Sequence, residues 1–447
     1  MNLRRLAAAV PLLTAAAIGL AAAPALAGAP GTAPGGAPAA APAAAPGPAE
    51  GLFGTQDPTY DGVWRQSLSL VALDAAGRKL PVKAVDWLVA QQCADGSFAP
   101  YRAKPEADCG PKDQVDTNQT GAAIQAFAAI GGHRAEAEKA LSWLQSAQNE
   151  DGGWGYTAGS PSDANSTSVV LGALRALGVK PSAVTKGGKS PEDALLSFAL
   201  TCEAKQSPGK KGTGSAFAFQ PEKDGALLAN TDATAAAVTA GYGAGFVVAA
   251  PRAESGGSLG CEAPRTAKDA ARNGAVWLAG ALPENGAVMS ALPGAKPQPD
   301  AGNTADTAVA LAAAGMPEEA RKAVGWLQSE GPAWAEKTGP AAWSQLILAA
   351  HATGVDPADF VGRDLPAKLA ATGPGGRTVA GGTVRARESG KDSGTTGESA
   401  EADKKDEKDK KDDGGGASPW WFVGVGLAAG AGIGFLLSAR NKKNGSR

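Results

Sequence analysis

A block of apolar and polar positions recurs along the middle of the chain. Residues 84–98 and 140–154 share a Trp-Leu pair, a Gln five residues after the Trp, then a Gly and a closing aromatic residue. The chain contains five copies of the block, of which the last two are degenerate. They are centred on Trp87, Trp143, Phe198, Trp277 and Trp326. Five copies in register predict a repeat architecture.

Each block is followed by a second apolar segment that starts at polar residues. Asp, Asn and Thr precede Ala-rich stretches such as 122–130 and 169–177. Such side chains accept hydrogen bonds from the free N–H groups of a first helical turn, so they predict helix N-termini. Glycines that are typical of helix C-termini follow four of the stretches: Gly131, Gly178, Gly315 and Gly354. Each unit is therefore predicted to be a helix pair with a buried second helix.

The repeat also carries a resemblance. The Trp-Leu-x3-Gln…Gly-x-Trp pattern, full at 143–154 and nearly full at 87–98, resembles the QW repeat of the squalene cyclase and protein prenyltransferase superfamily. The resemblance covers roughly residues 60–370 and implies a single α/α toroid of about five helix pairs, with the mouth at the inner-helix N-termini. Similar toroids serve non-catalytic roles in cobalamin carriers of the intrinsic factor type and in the thioester domain of complement. Since strand-like alternation is not evident, we expect an all-α fold.

The two ends of the chain predict export and membrane anchoring. An apolar run after two arginines, closed by the small-residue sequence 25–27, predicts a secretory signal peptide over residues 1–27. Residues 419–439 are uncharged and long enough for a transmembrane helix, and the basic segment 440–447 follows them. We expect an exported, single-pass cell membrane protein with an extracellular N-terminal domain and a short cytoplasmic tail.

Low-complexity segments separate the repeats from both ends. Residues 28–54 are rich in Ala, Pro and Gly and predict a disordered spacer, while 373–418 predict a Gly-rich and charged stalk. The toroid is then expected over residues 55–372. One face of the membrane run repeats a small residue every four positions: Gly426, Gly430 and Gly434. Such a face is typical of helix packing in membranes, so we expect a membrane-protein partner.

The charge balance limits the possible partners, and the cysteine content predicts disulfides. The 447 residues contain 42 Lys and Arg against 44 Asp and Glu, and a net charge of −2 argues against a nucleic-acid partner. Four cysteines in an exported chain predict two disulfides. A local bridge between Cys93 and Cys109 is favoured, which leaves Cys202 with Cys261, although four cysteines allow three pairings.

The resemblance raises the question of terpene chemistry. Class II terpene cyclases use the middle aspartate of an Asp-x-Asp-Asp-Thr-Ala motif to protonate a polyene, which requires a protonated carboxyl. The nearest match here is 303–308, Asn-Thr-Ala-Asp-Thr-Ala, where Ala305 replaces the donor. Asp232 holds the corresponding position in the third unit without its acidic neighbours. Asp232 and Asp306 are therefore candidate acids solely for a cyclase-like activity, and no other catalytic residue is assigned.

Protein prenyltransferases of this superfamily hold zinc with Asp, Cys and His ligands. The sequence contains two histidines, His133 and His351, and lacks an Asp-x-Cys pair. A surface or core role fits both histidines better than metal ligation. We therefore predict neither a metal site nor a cofactor.

A set of polar residues, here named the polar collar, occupies equivalent predicted places in four units: Asp116, Asn118, Asp163, Asn165, Asn230, Asp232, Asn303 and Asp306. One interpretation is that they only cap helices. The other is that they line one mouth of the ring and bind a ligand together with loop aromatics: Phe98, Trp154, Tyr156, Phe217 and Phe219.

These observations predict a surface-tethered, non-catalytic binding module. Its expected ligand is a small hydrophobic or vitamin-like molecule, or else a membrane partner. The alternative is a terpene cyclase-like or prenyltransferase-like enzyme with a degenerate acid motif.

Overall fold

Residues 50–204, 214–250, 260–290 and 296–382 are described by the computed structural model. Over these ranges the chain forms twelve α-helices, four two-residue strands and two short 3-10 turns. The helices are α1 (Gly62–Ala75), α2 (Val82–Ala90), α3 (Thr117–Ile130), α4 (Arg134–Ser146), α5 (Ala164–Ala176), α6 (Pro191–Ser197), α7 (Thr231–Gly241), α8 (Ala267–Ala281), α9 (Ala301–Ala313), α10 (Pro317–Thr338), α11 (Pro340–Thr353) and α12 (Leu365–Ala371). The strands are β1 (Leu80–Pro81), β2 (Met289–Ser290), β3 (Gln298–Pro299) and β4 (Thr378–Val379). The predicted all-α class is confirmed.

Several predicted segments lie outside these ranges. They are the signal peptide over 1–27, the membrane run over 419–439 and the basic tail over 440–447, together with most of the spacer and most of the stalk. Among the helices of the described residues, none combines the length and the apolar character that a membrane crossing needs.

The odd-numbered helices form a closed inner ring. Each packs against the next odd-numbered helix, and α11 packs back against α1. Each even-numbered helix packs outside the inner helix that precedes it in the chain. Burial agrees with this arrangement, since α3 buries twelve of its fourteen residues whereas α4 buries three of thirteen. The predicted α/α toroid is confirmed at the level of the fold.

The described ring has six helix pairs rather than the predicted five. The five pairs that the repeat predicts run from α2 to α11, and the sixth consists of α1 and α12 from opposite ends of the domain. The helix α12 packs against both α11 and α1, so this pair closes the ring. Periodicity along the chain could not reveal a pair whose halves lie about 300 residues apart.

The segments that flank the ring hold this closure together. Strand β1 pairs antiparallel with β4, so that Leu80 faces Val379 across the ladder. The Gly54 N–H donates to the Thr372 carbonyl at 2.8 Å. Phe53 is completely buried, and the structure leaves no room for a side chain at Gly373 because the Phe53 ring occupies that space. The folded unit therefore extends beyond the predicted bounds of 55–372.

A repeated pair of hydrogen bonds fixes where four inner helices begin. In the third unit, the Phe217 N–H donates to Thr234 Oγ1, and the Asn230 N–H donates to the Phe217 carbonyl, both at 2.9 Å. The same two bonds join Phe98 to the start of α3, Trp154 to the start of α5 and Val288 to the start of α9. The loop before each inner helix is thus docked on the first turn of that helix.

The Gln of the repeat motif links consecutive outer elements. The Gln148 side-chain amide donates to the Gly152 carbonyl at 2.8 Å and to the Val184 carbonyl at 3.3 Å. Gln92 makes the equivalent bonds to the carbonyls of Gly96 and Glu136. These bonds tie the turn after one outer helix to the beginning of the next outer element, which explains the motif as a structural device.

Both favoured disulfides are present. Cys93 is bonded to Cys109, and Cys202 is bonded to Cys261. The first bridge closes a loop after α2. The second connects the turn after α6 to the segment before α8, a connection that the sequence left among three alternatives.

Candidate functional site

A cavity of about 180 Å³ lies at the centre of the inner ring. All six inner helices contribute side chains to it, together with the segment that follows α7. Much of the wall is apolar, with Leu68, Val169, Ala236, Val309 and Leu348 among its residues. An apolar cavity with a few convergent polar groups is the usual form of a small-molecule site.

Three polar residues reach this cavity from one position on three neighbouring helices. Asn118, Asn165 and Asp232 each stand two residues after the N-cap of α3, α5 and α7, and all three line the cavity. The Asn165 side-chain amide donates to an Asp232 carboxylate oxygen at 2.6 Å. The repeat thus places equivalent side chains side by side on the inside of the ring.

Asp306 and Gln345 complete the polar part of the cavity. Asp306 lies on α9, and the Gln345 side-chain amide of α11 donates to both of its carboxylate oxygens at 3.2 Å. Both residues line the same cavity as Asp232. The two aspartates that the sequence singled out as candidate acids are therefore brought into one chamber.

The other members of the polar collar cap their helices instead. Asp116, Asp163 and Asn230 are N-caps, and their side-chain oxygens accept hydrogen bonds from backbone N–H groups of the first turns at 2.7 to 2.9 Å. They are not among the residues that line the cavity. The collar therefore separates into caps and cavity residues.

The fourth unit departs from the predicted register by three residues. The N-cap of α9 is Asp300, whose carboxylate accepts from the Asn303 backbone N–H at 3.0 Å. Asn303 itself points its side-chain amide back to Asp300 and does not line the cavity. Gly302 occupies the place of Asn118, and Asp306 lies one helical turn deeper. The spacing of Asp300 and Thr304, which matches that of other caps and their threonines, is the sequence signal that identifies this start.

The predicted loop aromatics serve the packing of the repeats. Trp154 is completely buried, with its indole N–H donating to the Leu144 carbonyl at 2.6 Å, and Phe98 and Phe217 are also completely buried. Phe219 is half-buried against the core, and Tyr156 interacts with Asp116. None of these five lines the described cavity.

Two other aromatic residues face the cavity. Trp64 of α1 and Phe246, which follows α7, meet edge to face with ring centroids 5.4 Å apart. The Phe246 N–H donates to Gln125 Oε1 at 2.8 Å, which holds this segment against α3. Sequence reasoning missed both residues because each lies outside the repeated motif.

The two cavity carboxyls have raised pKa values. Burial raises the pKa of Asp306 to about 7, and the charges of Asp232 and Asp300 add to this, whereas the bond from Gln345 opposes it. Burial raises the pKa of Asp232 to about 6 against the opposing bond from Asn165. Both residues are half-buried and line the cavity. Within the described part of the chain, the lining includes no basic side chain that could pair with them.

Several polar atoms on the lining residues have no hydrogen-bond partner within the described ranges. Gln119 is 1% exposed and Ser168 is 6% exposed, yet Gln119 Oε1 and Ser168 Oγ are unpaired. The buried Oδ1 atoms of Asn118 and Asn165 are also unpaired. Each of these four atoms has less than 1 Å² of accessible surface, so it is covered by protein and does not face the open space of the cavity.

The histidines lie away from this site. His133 precedes α4 with its ring 5.6 Å from that of Phe127, and burial lowers the pKa of His351 on α11. Across the ranges that the structure describes, no three His, Cys, Asp or Glu side chains are grouped as metal ligands.

No family model matches the chain, and no match is found among curated proteins. Among solved structures it is similar to a protein from Actinoplanes, with 16% identity and a TM-score of 0.42 over 68% of this chain and 92% of that one. It is similar to ent-copalyl diphosphate synthase from Streptomyces platensis, with 16% identity and a TM-score of 0.42 over 66% of this chain and 50% of that one. The type II terpene cyclase MstE from Scytonema gives 16% identity and a TM-score of 0.36 over 63% of this chain and 70% of that one.

Proposed function

We propose that this protein is a non-catalytic binding module that holds a small ligand in the cavity of its inner ring. The observation that carries the proposal is the convergence of polar side chains from neighbouring inner helices, among them Asn165, Asp232 and Asp306, on one largely apolar chamber. A ligand with matching polar groups would pair with these side chains and bury its apolar part against the wall.

The size of the cavity limits the ligand. Pockets for drug-sized molecules usually measure about 300–1,000 Å³, and this cavity measures about 180 Å³. The ligand is therefore a compact molecule. The cavity volume restricts the expected vitamin-like ligands to small molecules. It also argues against a polyprenyl chain of the length that terpene cyclases fold.

Surface tethering is part of the same proposal. It rests on the sequence of the two ends, 1–27 and 419–439, which predict export and a membrane anchor. The two disulfides within the described part of the chain support this, because such bridges persist in oxidising compartments outside the cytosol. The module would then hold its cavity close to the extracellular face of the cell membrane.

Native mass spectrometry of the full-length chain from its own host tests the binding role. We expect a bound small molecule in the wild type and its loss from Ala236→Phe, which fills the cavity from α7. The matched control is Ala370→Phe at an exposed position of α12. Circular dichroism and thermal melting establish that both variants fold. Equal ligand occupancy in the two folded variants, or a wild type without ligand, would contradict the proposal.

One observation favours a second candidate function, an acid-catalysed reaction of the cyclase type. Asp306 has a pKa raised to about 7 in a largely apolar chamber, which gives a carboxyl that is partly protonated at neutral pH. Incubation with squalene or a prenyl diphosphate tests this candidate. A cyclised product that disappears in both Asp306→Asn and Asp232→Asn would establish it in place of the binding role.

A further inference from the structure

Building on the binding role proposed above, we infer that the ligand of the cavity is a compact organic cation. Its primary ammonium group lies at Asp232 and Asp306, and its small apolar part lies against the wall that includes Trp64. The inference rests on the charge of the lining, on the acceptor character of its two carboxylates and on the composition of the wall.

All charged side chains among the described lining residues are acidic. Asp232 and Asp306 interact electrostatically across the chamber, and the side chains that donate hydrogen bonds to them, Asn165 and Gln345, are neutral amides. No Lys, Arg or His lies among the described lining residues. Two carboxyls in low-dielectric surroundings without a counter-charge favour a cationic ligand and exclude an anionic one.

The charged groups of the lining are hydrogen-bond acceptors. The Asn165 and Gln345 side-chain amides donate to Asp232 and Asp306, so both carboxylates already act as acceptors in the chamber. The orientation of the Asn165 amide follows from its bond to Asp232, since only its nitrogen can donate to a carboxylate. A primary ammonium carries three donors and no acceptor, so it complements a chamber with two carboxylates.

The wall accounts for the apolar part of the ligand. Trp64 and Phe246 present aromatic surface, and the aliphatic residues of five inner helices complete the wall. Aromatic faces attract organic cations as well as apolar groups. A cavity near 150 Å³ can hold a benzene-sized molecule, so about 180 Å³ accommodates a single ring with a short amine.

A metal ion fits these observations less well. The described residues supply no group of three or more carboxylate, imidazole or thiolate ligands. A hard cation such as Ca²⁺ binds six to eight oxygen atoms, and most of this wall is apolar. Calcium and magnesium nevertheless form one arm of the test.

The test uses three probes with one ring and different charge, namely benzylammonium, benzyl alcohol and benzoate, titrated calorimetrically into the full-length chain at pH 8. We expect benzylammonium to bind at least about ten-fold more tightly than benzyl alcohol, and benzoate not to bind. Asp232→Asn and Asp306→Asn should each weaken benzylammonium by about ten-fold while changing benzyl alcohol little. Asp86→Asn, at an exposed position of α2, is the matched control and should change neither.

The pH dependence supplies a second readout. Lowering the pH from 8 to 5 should weaken benzylammonium binding, because Asp232 and Asp306 become protonated while the amine keeps its charge. The other groups that act on this pair are the Asp300 and Asp163 carboxyls and the Asn165 and Gln345 amides. Affinity that is unchanged by pH would overturn the inference.

The outcomes separate the inference from the binding role. If benzyl alcohol or benzoate binds more tightly than benzylammonium, and Ala236→Phe abolishes that binding, the inference of a cationic ligand is overturned and the ligand site is kept. If none of the three probes binds, but the wild type carries a native ligand without an amine that Ala236→Phe loses, the cation inference is also overturned and the binding role is kept. Failure of all three probes with no native ligand would overturn both proposals. Calcium or magnesium binding that is lost in Asp232→Asn and Asp306→Asn would replace the organic cation by a metal ion.

Discussion

Asn165 and Asp232 stand 67 positions apart in the chain and meet inside the ring through a hydrogen bond of 2.6 Å from the Asn165 amide to the Asp232 carboxylate. Both occupy the same position of their helices, two residues after the N-cap. The repeat therefore creates direct contacts between equivalent residues of neighbouring units. This geometry makes the cavity sensitive to single substitutions.

Replacing Asn165 with Ala should raise the pKa of Asp232 further, because the bond from Asn165 lowers that pKa. Carbon-13 NMR titration of the aspartate carboxyls measures the shift. Asn118→Ala is the matched control, since Asn118 holds the same place on α3 and forms no bond with Asp232 among the described contacts. Equal shifts in the two variants would show that the bond does not set the pKa.

Unfolding stability should fall as the pH rises from about 4 to about 7. Burial raises the pKa values of Asp116 and Asp163 to about 7, as it raises those of Asp232 and Asp306. The folded chain then binds more protons than the unfolded chain in this range, so each pH unit costs up to about 1.4 kcal/mol per group.

Chemical denaturation at pH 5 and pH 8 checks this dependence. Asp306→Asn removes one titrating group, so its unfolding free energy should decline less steeply with pH than that of the wild type. Asp86→Asn on the surface of α2 should follow the wild type. A wild type that becomes more stable from pH 5 to pH 8 would contradict the burial of these carboxyls.

Much of the ring follows from local sequence patterns. Caps such as Asp116 and Asp163 and the closing glycines mark helix ends through short-range chemistry, and the structure places helix boundaries at them. The first inner helix, α1, does not follow from the repeat, because it precedes the first repeat block and its outer partner is α12. The composition of the cavity depends on Trp64 and Phe246, whose proximity is a product of the tertiary fold rather than of any local pattern.

The register of the fourth unit shows where pattern reasoning fails. Asn303-Thr304-Ala305-Asp306-Thr307 offers two threonines three residues apart, and the sequence favoured the later one. The structure selects Thr304, because its hydroxyl accepts from the Val288 N–H at 2.9 Å and donates to the Asp300 carbonyl. The choice depends on a loop partner sixteen residues away.

Thr304→Val should destabilise the fold by about 1–3 kcal/mol, because it leaves the Val288 N–H without its acceptor. Thr307→Val is the matched control: that residue is equally buried, and its hydroxyl is unpaired within the described part of the chain. Thr304→Ser should retain most of the stability. Urea denaturation measures all three, and a larger loss for Thr307→Val would restore the register that the sequence favoured.

Phe53→Ala should lower the unfolding free energy by about 3–5 kcal/mol, as expected for deleting a buried aromatic ring. Phe53 is completely buried and contacts Gly373 at the closing pair of helices. Tyr60→Ala is the control, because Tyr60 is 69% exposed. Thermal and urea unfolding of both variants provide the comparison, and similar small losses would place Phe53 outside the folded unit.

The closing pair, α1 and α12, also determines when the ring can close during synthesis of the chain. Because α1 comes first and α12 comes last, a ribosome releases nearly the whole domain before these two helices can pack, so closure is the last step in the assembly of the ring. Segments near the two ends of the described domain nevertheless meet at the ladder of Leu80 and Val379. A circular permutant that joins residue 382 to residue 50 and opens between two repeats would make the closing pair contiguous, and the ring would then close at a different seam.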